Sequence, residues 1–287
     1  MPETPLHDAA AHRAAVEEER ARREARLREP EGWLSLVGLE WLRDGAQRFG
    51  ASPTNDIVLH AEDGEVPPVA GTLELSRGRV VIRPEPDVAL TADGRPVPDG
   101  TELFDDQADA PTALELASLR LVVIRRGEGR VGLRVRDTSA AALDSFTGLP
   151  FFEIDPRWRV RGRLVRAEAG ATIEVPDVLG DVTHEPTVGV VEFAVGDRPF
   201  RLDALESMPG HLWLIFRDET SGHETYGGGR FLVSGPVEAD DSVEIDFNLA
   251  YNPPCVFTPF ATCPLPPERN NLPVRVEAGE KLWRQGH

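Results

Sequence analysis

The chain has 287 residues, 40% of them hydrophobic, enough to bury a core in one large or two modest domains. Its 49 Asp and Glu outnumber its 31 Lys and Arg, and the resulting net charge of −18 disfavours non-specific nucleic-acid binding, which needs an excess of Lys and Arg, while leaving room for local basic patches. No apolar run of about 18 residues is present, and the opening MPETPLHDAAAHRAAVEEER lacks a basic start followed by an apolar stretch. A cytoplasmic protein with no membrane anchor or signal peptide is therefore expected.

Leu6 to Glu29 is rich in Ala, Glu and Arg and free of Gly and Pro, which predicts a helix. Glu18 with Arg22, and Glu19 with Arg23, have the spacing of ion pairs on a helix surface. Pro30 ends it. GWLSLVGLEWL (Gly32 to Leu42) then supplies Trp33, Trp41 and a set of aliphatics, which we read as packing surface. Helix and Trp-rich run make a lead-in over residues 1–44.

From 45 to 140, short apolar runs alternate with Gly, Pro and Asp turns: Asp56 to Leu59, Gly71 to Leu75, Arg79 to Arg83, Val88 to Thr91, Leu114 to Leu116, Leu119 to Arg125 and Val131 to Val135. That rhythm predicts an all-β sandwich. RFGASPTNDIVL (Arg48 to Leu59) and the later ADGRPVPDGTEL (Ala92 to Leu103) resemble the opening strands and late hairpin of the forkhead-associated fold. The resemblance implies an arginine and serine pair for anion contact, here Arg48 and Ser52. The chain departs from that family after Leu59, where HAEDGEVPPVAGTL has no Ser-x-x-His, so a scaffold is expected in place of a phosphothreonine reader.

Residues 141–287 predict a second β-rich domain, a curled sheet or barrel. Its expected strands are Trp158 to Val165, Thr172 to Val175, Thr187 to Val195, Arg198 to Leu205, Leu212 to Asp218, Gly229 to Val233 and Val243 to Asn248. Arg157, Arg159, Arg161 and Arg163 recur every second residue, so they share one strand face: either an exposed face or an anion-facing wall in a barrel mouth.

Two segments concentrate polar chemistry. DETSGHETYGGGR (Asp218 to Arg230) is turn-rich, and its three glycines permit positive φ or close backbone approach. It lacks the lysine and following hydroxyl of a phosphate loop, but Thr220, Tyr226 and Arg230 are candidate ligand contacts. Asp246 to Lys281 holds both cysteines, one of the two tyrosines, four asparagines and the only lysine. Asp246 and Asn248 share a face if the strand continues, and Pro253 with Pro254 stiffens the exit after Tyr251 and Asn252. These four, with Asn270, complete the candidate site. A structural reading stands beside it: buried Asp and Asn can satisfy loop backbone. Cys255 and Cys263, eight positions apart, fit neither a zinc knuckle nor a thioredoxin motif, and no metal ligand set or cofactor is spelled out. A disulfide across the loop is sterically open, but buried, inert thiols are expected, and spacing does not say whether the two meet.

FTGLPFFEID (Phe146 to Asp155), FRDETSGHETYGGGRFL (Phe216 to Leu232) and Asp246 to Lys281 resemble the bacterial family called domain of unknown function 1684, whose name implies a shared fold and assigns no activity. GWLSLVGLEWL is similar to the lead-in of its longer members. Nearly all-arginine basic usage and abundant Ala, Gly and Pro also suit a GC-rich bacterial genome. Three functions remain open. The first is a C-terminal pocket for a polar or anionic small molecule. The second is a hydrolase using Asp246, Glu280 or Cys255. The third is an interaction protein whose sandwich and helix bind a protein partner.

Overall fold

A computed structural model describes residues 6–127 and 129–284; the outermost ends of the expected domains, 1–5 and 285–287, lie outside it. The chain is mainly strand and divides into two compact units, residues 27–146 and residues 1–26 with 147–287. Among the described residues no helix is long and apolar enough to cross a membrane.

The unit 27–146 is a two-sheet sandwich. Its strands are β1 (Leu36–Trp41), β2 (Gly45–Gly50), β3 (Ile57–Val58), β4 (Gly71–Ser76), β5 (Arg79–Pro84), β6 (Thr91–Ala92), β7 (Arg95–Pro96), β8 (Thr101–Leu103), β9 (Ala113–Leu116), β10 (Leu119–Arg126) and β11 (Arg130–Asp137). One sheet runs β1-β11-β10-β9-β6-β7 and the other β3-β2-β4-β5-β8. The Trp-rich run is thus partly a strand, β1, paired antiparallel with β11. Alternation sets the core: in β4 and β10, Leu73, Leu75, Leu119, Leu121 and Val123 point inward with Phe49 and Ile82. Arg48 is exposed and Ser52 pairs with Thr54 at 2.8 Å.

The other unit holds the helix α1 (Leu6–Arg28) up to Arg26 and, after the short α2 (Ala141–Ser145) of the sandwich unit, continues as strands. These are β12 (Arg159–Arg166), β13 (Thr172–Pro176), β14 (Val182–Val195), β15 (Arg198–Met208), β16 (His211–Phe216), β17 (Arg230–Pro236) and β18 (Ser242–Asp246). Six follow one another as β17-β16-β15-β14-β12-β18, with β13 on β14. The bridge Val237↔Val243 joins the two ends, which nearly closes the sheet into a barrel.

Inside lie Trp158, Leu164, Val191, Leu202, Leu214, Phe216, Leu232, Ile245 and Phe247. Phe247 is their hub, 5.4 Å from Phe216 and 6.1 Å from Trp158 in edge-to-face contacts. The arginines of β12 do not line the barrel mouth. Trp158, Gly162 and Leu164 occupy the inward positions, so Arg161 and Arg163 stand on the outer, exposed face.

Candidate functional site

The strand β18 does not continue through Asn248. At Phe247 to Leu249 the chain makes a 3-10 turn, capped by the Asp246 side chain, which accepts the Asn248 N–H at 3.0 Å. Two forces fix this turn: Phe247 is sunk in the barrel core, and Asp246 removes an otherwise orphaned donor. Asp246 Oδ1 also accepts from Asn248 Nδ2 at 2.8 Å, and Asn248 exchanges two 3.0 Å bonds with the backbone of Asp155. The second carboxylate oxygen of Asp246 lies 2.5 Å from His12 Nε2 of α1, and both side chains are buried.

Further along α1, Arg20 donates to the carbonyls of Phe152 (3.2 Å) and Asn248 (3.5 Å). Burial lowers its pKa, opposed by the charge of Asp246. Arg23 donates to Glu280 Oε1 at 3.1 Å and to the Asn252 carbonyl at 3.0 Å, with its guanidinium 5.1 Å over the Tyr251 ring. Glu280 Oε2 accepts the Asn252 N–H at 2.7 Å, while Asn252 Nδ2 donates to the Lys281 carbonyl at 2.7 Å. Burial pushes Glu280 above the usual carboxylate range, against the pull of Arg23. Tyr251 meets Phe231 edge-on at 5.7 Å, and burial raises its phenol too.

Arg230 is completely buried at the head of β17. It donates to the carbonyls of Ala278 and Val276 (2.9 Å), approaches that of Glu280 at 3.4 Å, and faces Asp218 Oδ1 at 3.4 Å. Burial lowers its pKa and Asp218 opposes the shift. Asp218 in turn accepts the Val276 N–H at 2.7 Å and the Thr220 hydroxyl at 2.9 Å. Gly229, with φ +93°, lets the chain enter β17 beneath the Phe216 carbonyl. Asn270 latches β15 to β16, accepting the Asp203 N–H at 2.7 Å and donating to the Asp203 and Ile215 carbonyls at 2.9 Å. Tyr226 is half-buried, and burial raises its phenol; His223 is exposed on the turn.

Thr220 and Arg230 therefore meet through Asp218, and Arg230, Tyr251 and Asn252 meet through Glu280 and Arg23. Asp246 and Asn248 form a neighbouring cluster with His12 and Arg20, while Asn270 stands apart. Sequence reasoning missed His12, Arg20, Arg23 and Asp218. A stripe at positions 12, 16, 20 and 23 of α1, spaced for one helix face, is the signal that could have found the first three.

Open space adjoins this cluster. A groove of 1060 Å³ is bounded by Ala9 and His12 of α1, Arg159, Val160 and Arg161 of β12, Gly235 and Pro236 at the end of β17 with Glu238 just beyond, and Ser242 to Glu244 of β18. Register sets Arg159 opposite Asp246 and Arg161 opposite Glu244 on the same outer face. Arg161 donates to Ser242 Oγ at 2.6 Å, and Arg159 pairs with Glu244 at 2.7 Å. Among the described residues no group of three or more His, Cys, Asp or Glu side chains is placed to hold a metal ion.

Fold and cluster define a helix-braced, nearly closed β-barrel domain with a two-signed polar groove. Residues 144–281 match the family model described as "Protein of unknown function (DUF1684)", which bears out the resemblance over that stretch. It is also similar to an uncharacterized protein of Haloarcula marismortui solved by solution NMR, at 33% identity over 48% of this chain and 78% of that one, with a TM-score of 0.40. No curated protein matches the chain. None of the comparisons carries the forkhead-associated likeness of the sandwich unit.

Proposed function

We propose that the family domain binds a polar small molecule bearing a carboxylate, a phosphate or a sugar acid, in the groove lined by His12, Arg159 and Arg161. The observation that supports this most is the coincidence of a groove of 1060 Å³ with two guanidinium groups and an imidazole held by Asp246. The volume suits a metabolite, and guanidinium forks suit planar anions. Glu238 and Glu244 add carboxylates, so the ligand carries donors as well as an anionic end. In this reading Asp246 and Asn248 orient His12. Thr220, Tyr226, Arg230, Tyr251, Asn252 and Asn270 frame the segment that carries them.

A thermal-shift panel of small carboxylates, phosphate esters and sugar acids tests the proposal. A ligand at about 100 times its Kd stabilises by about 2.7 kcal/mol, which raises the melting temperature by several degrees. Arg161→Ala, on an exposed side chain, abolishes that rise without lowering the ligand-free melting temperature. The proposal fails if no anionic class shifts the melting point, or if the variant responds as the wild type does.

The 2.5 Å pair of His12 and Asp246 also favours one form of the hydrolase reading, with that pair as the base. It predicts turnover of the bound ligand that His12→Ala removes while binding persists. Glu280 suits the role less well, because both its oxygens are engaged by Arg23 and Asn252.

A further inference from the structure

The two cysteines are separated by eight positions of a proline-rich loop, yet the fold returns one onto the other. The Cys255 N–H donates to Cys263 Sγ at 3.1 Å, which sets that sulfur beside the nitrogen two bonds from the Cys255 Cβ. The Cys255 thiol is half-buried and points to the Ala261 carbonyl at 3.6 Å; Cys263 is buried, and neither is in a disulfide. The loop ends are anchored. Cys255 sits in a 3-10 turn led by Pro253 and Pro254, and the Cys263 carbonyl accepts the Val178 N–H at 3.1 Å.

We propose that Cys255 and Cys263 form a redox-active pair, with Cys255 the thiol that meets a hydroperoxide and Cys263 the thiol that resolves it into a disulfide. An accessible thiol beside a shielded partner in an anchored loop is the arrangement this chemistry needs. The Cys263 thiol holds Cys255 below the ordinary thiol range, against the opposing effect of burial, so the attacking thiolate is favoured where it is accessible.

The step balances with hydrogen peroxide as oxidant. The Cys255 thiolate attacks one peroxide oxygen; an S–O bond forms, the O–O bond breaks, and the departing hydroxide takes one proton, equivalent to the one the Cys255 thiol released, and leaves as water. Cys263 Sγ then attacks the sulfenic sulfur; the S–S bond forms, the S–O bond breaks, and hydroxide leaves with the Cys263 proton as water. Two thiols lose two electrons and one peroxide gains them.

Trypsin places both cysteines on one peptide, Phe231 to Arg269, because no Lys or Arg intervenes. The full-length reduced protein is treated with one equivalent of hydrogen peroxide and mapped by mass. The expected result is a loss of about 2 Da on that peptide, reversed by dithiothreitol. In Cys263→Ser the same peptide gains about 16 or 32 Da instead. In Cys255→Ser the remaining thiol is consumed about tenfold more slowly. Net oxygen gain on the wild-type peptide without the 2 Da loss overturns the proposal, and so does a covalent dimer. Oxidation only after unfolding in urea overturns it as well, and the wild-type measurement decides the matter even if a variant does not fold.

Discussion

Replacing Arg230 by Met keeps a long side chain and removes the guanidinium that ties the C-terminal segment to the barrel. The carbonyls of Val276 and Ala278 lose the guanidinium donor, the long contact to the Glu280 carbonyl goes with it, and the Asp218 carboxylate keeps its Thr220 and Val276 hydrogen bonds but loses its countercharge. Breaking a buried ion pair by deleting one member costs about 3–5 kcal/mol, and each buried carbonyl left without its donor adds roughly 1 kcal/mol. Apolar burial of the Met side chain offsets roughly 1–2 kcal/mol. The net is about 4 kcal/mol. For a unit of this size each kcal/mol moves the melting temperature by about 2–4 °C, so a fall of about 8–16 °C is expected. Calorimetry of Arg230→Met, Asp218→Asn and the double variant separates the pair from the carbonyls, with a coupling of about 1–3 kcal/mol between the two sites. A melting temperature within about 3 °C of wild type, or single effects that simply add, refutes the claim that Arg230 clasps this segment against Asp218.

Two further outcomes follow from the same region. Gly229→Ala places a Cβ 2.6 Å from the Phe216 carbonyl at φ +93°, so it should cost about 2 kcal/mol or more. Gly227→Ala, whose nearest neighbour is 3.6 Å away, should stay within about 0.5 kcal/mol, and equal urea midpoints for the two would contradict the assignment. Glu280 has a folded pKa raised by burial, so its carboxyl binds its proton more tightly in the folded than in the unfolded chain. Its contribution is full below the ordinary carboxylate range and declines as pH rises through the folded value, by about 1.4 kcal/mol for each unit of pH. The stability difference between wild type and Glu280→Gln should therefore shrink from acid to neutral pH in urea titrations; a difference that grows with pH means the ion pair with Arg23 outweighs burial.

Most of the longer strands of both units were legible because they carry period-two alternation bounded by Gly, Pro and Asp, whereas β1, with no clean alternation, read only as packing surface. Even so, β14 begins at Val182, five residues ahead of its apolar stretch, because β13 pairs with that polar segment. The Asp246 motif announced its unusual density, and what it could not announce was the shape of the exit. A 3-10 turn replaces two more residues of strand because Phe247 anchors in the core while Asp246 caps Asn248. His12 was invisible because its partner lies 234 positions away, and one histidine in an Ala, Glu and Arg helix carries no local signal. Spacing likewise could not say whether Cys255 and Cys263 meet, since the path of the loop between them is fixed by tertiary contacts such as that of Cys263 with Val178, 85 positions earlier. Arg230 read as a ligand contact from sequence, and its guanidinium is instead engaged by backbone carbonyls and Asp218.

The groove is tested most directly by an NMR titration of the anionic compound that raises the melting temperature, following the His12 ring C–H and the side-chain N–H signals of Arg161 and Arg230. Saturable shifts at His12 and Arg161, with Arg230 unmoved, are predicted by binding in the groove between α1 and the β12–β18 face. Shifts at Arg230 with His12 and Arg161 silent would contradict it.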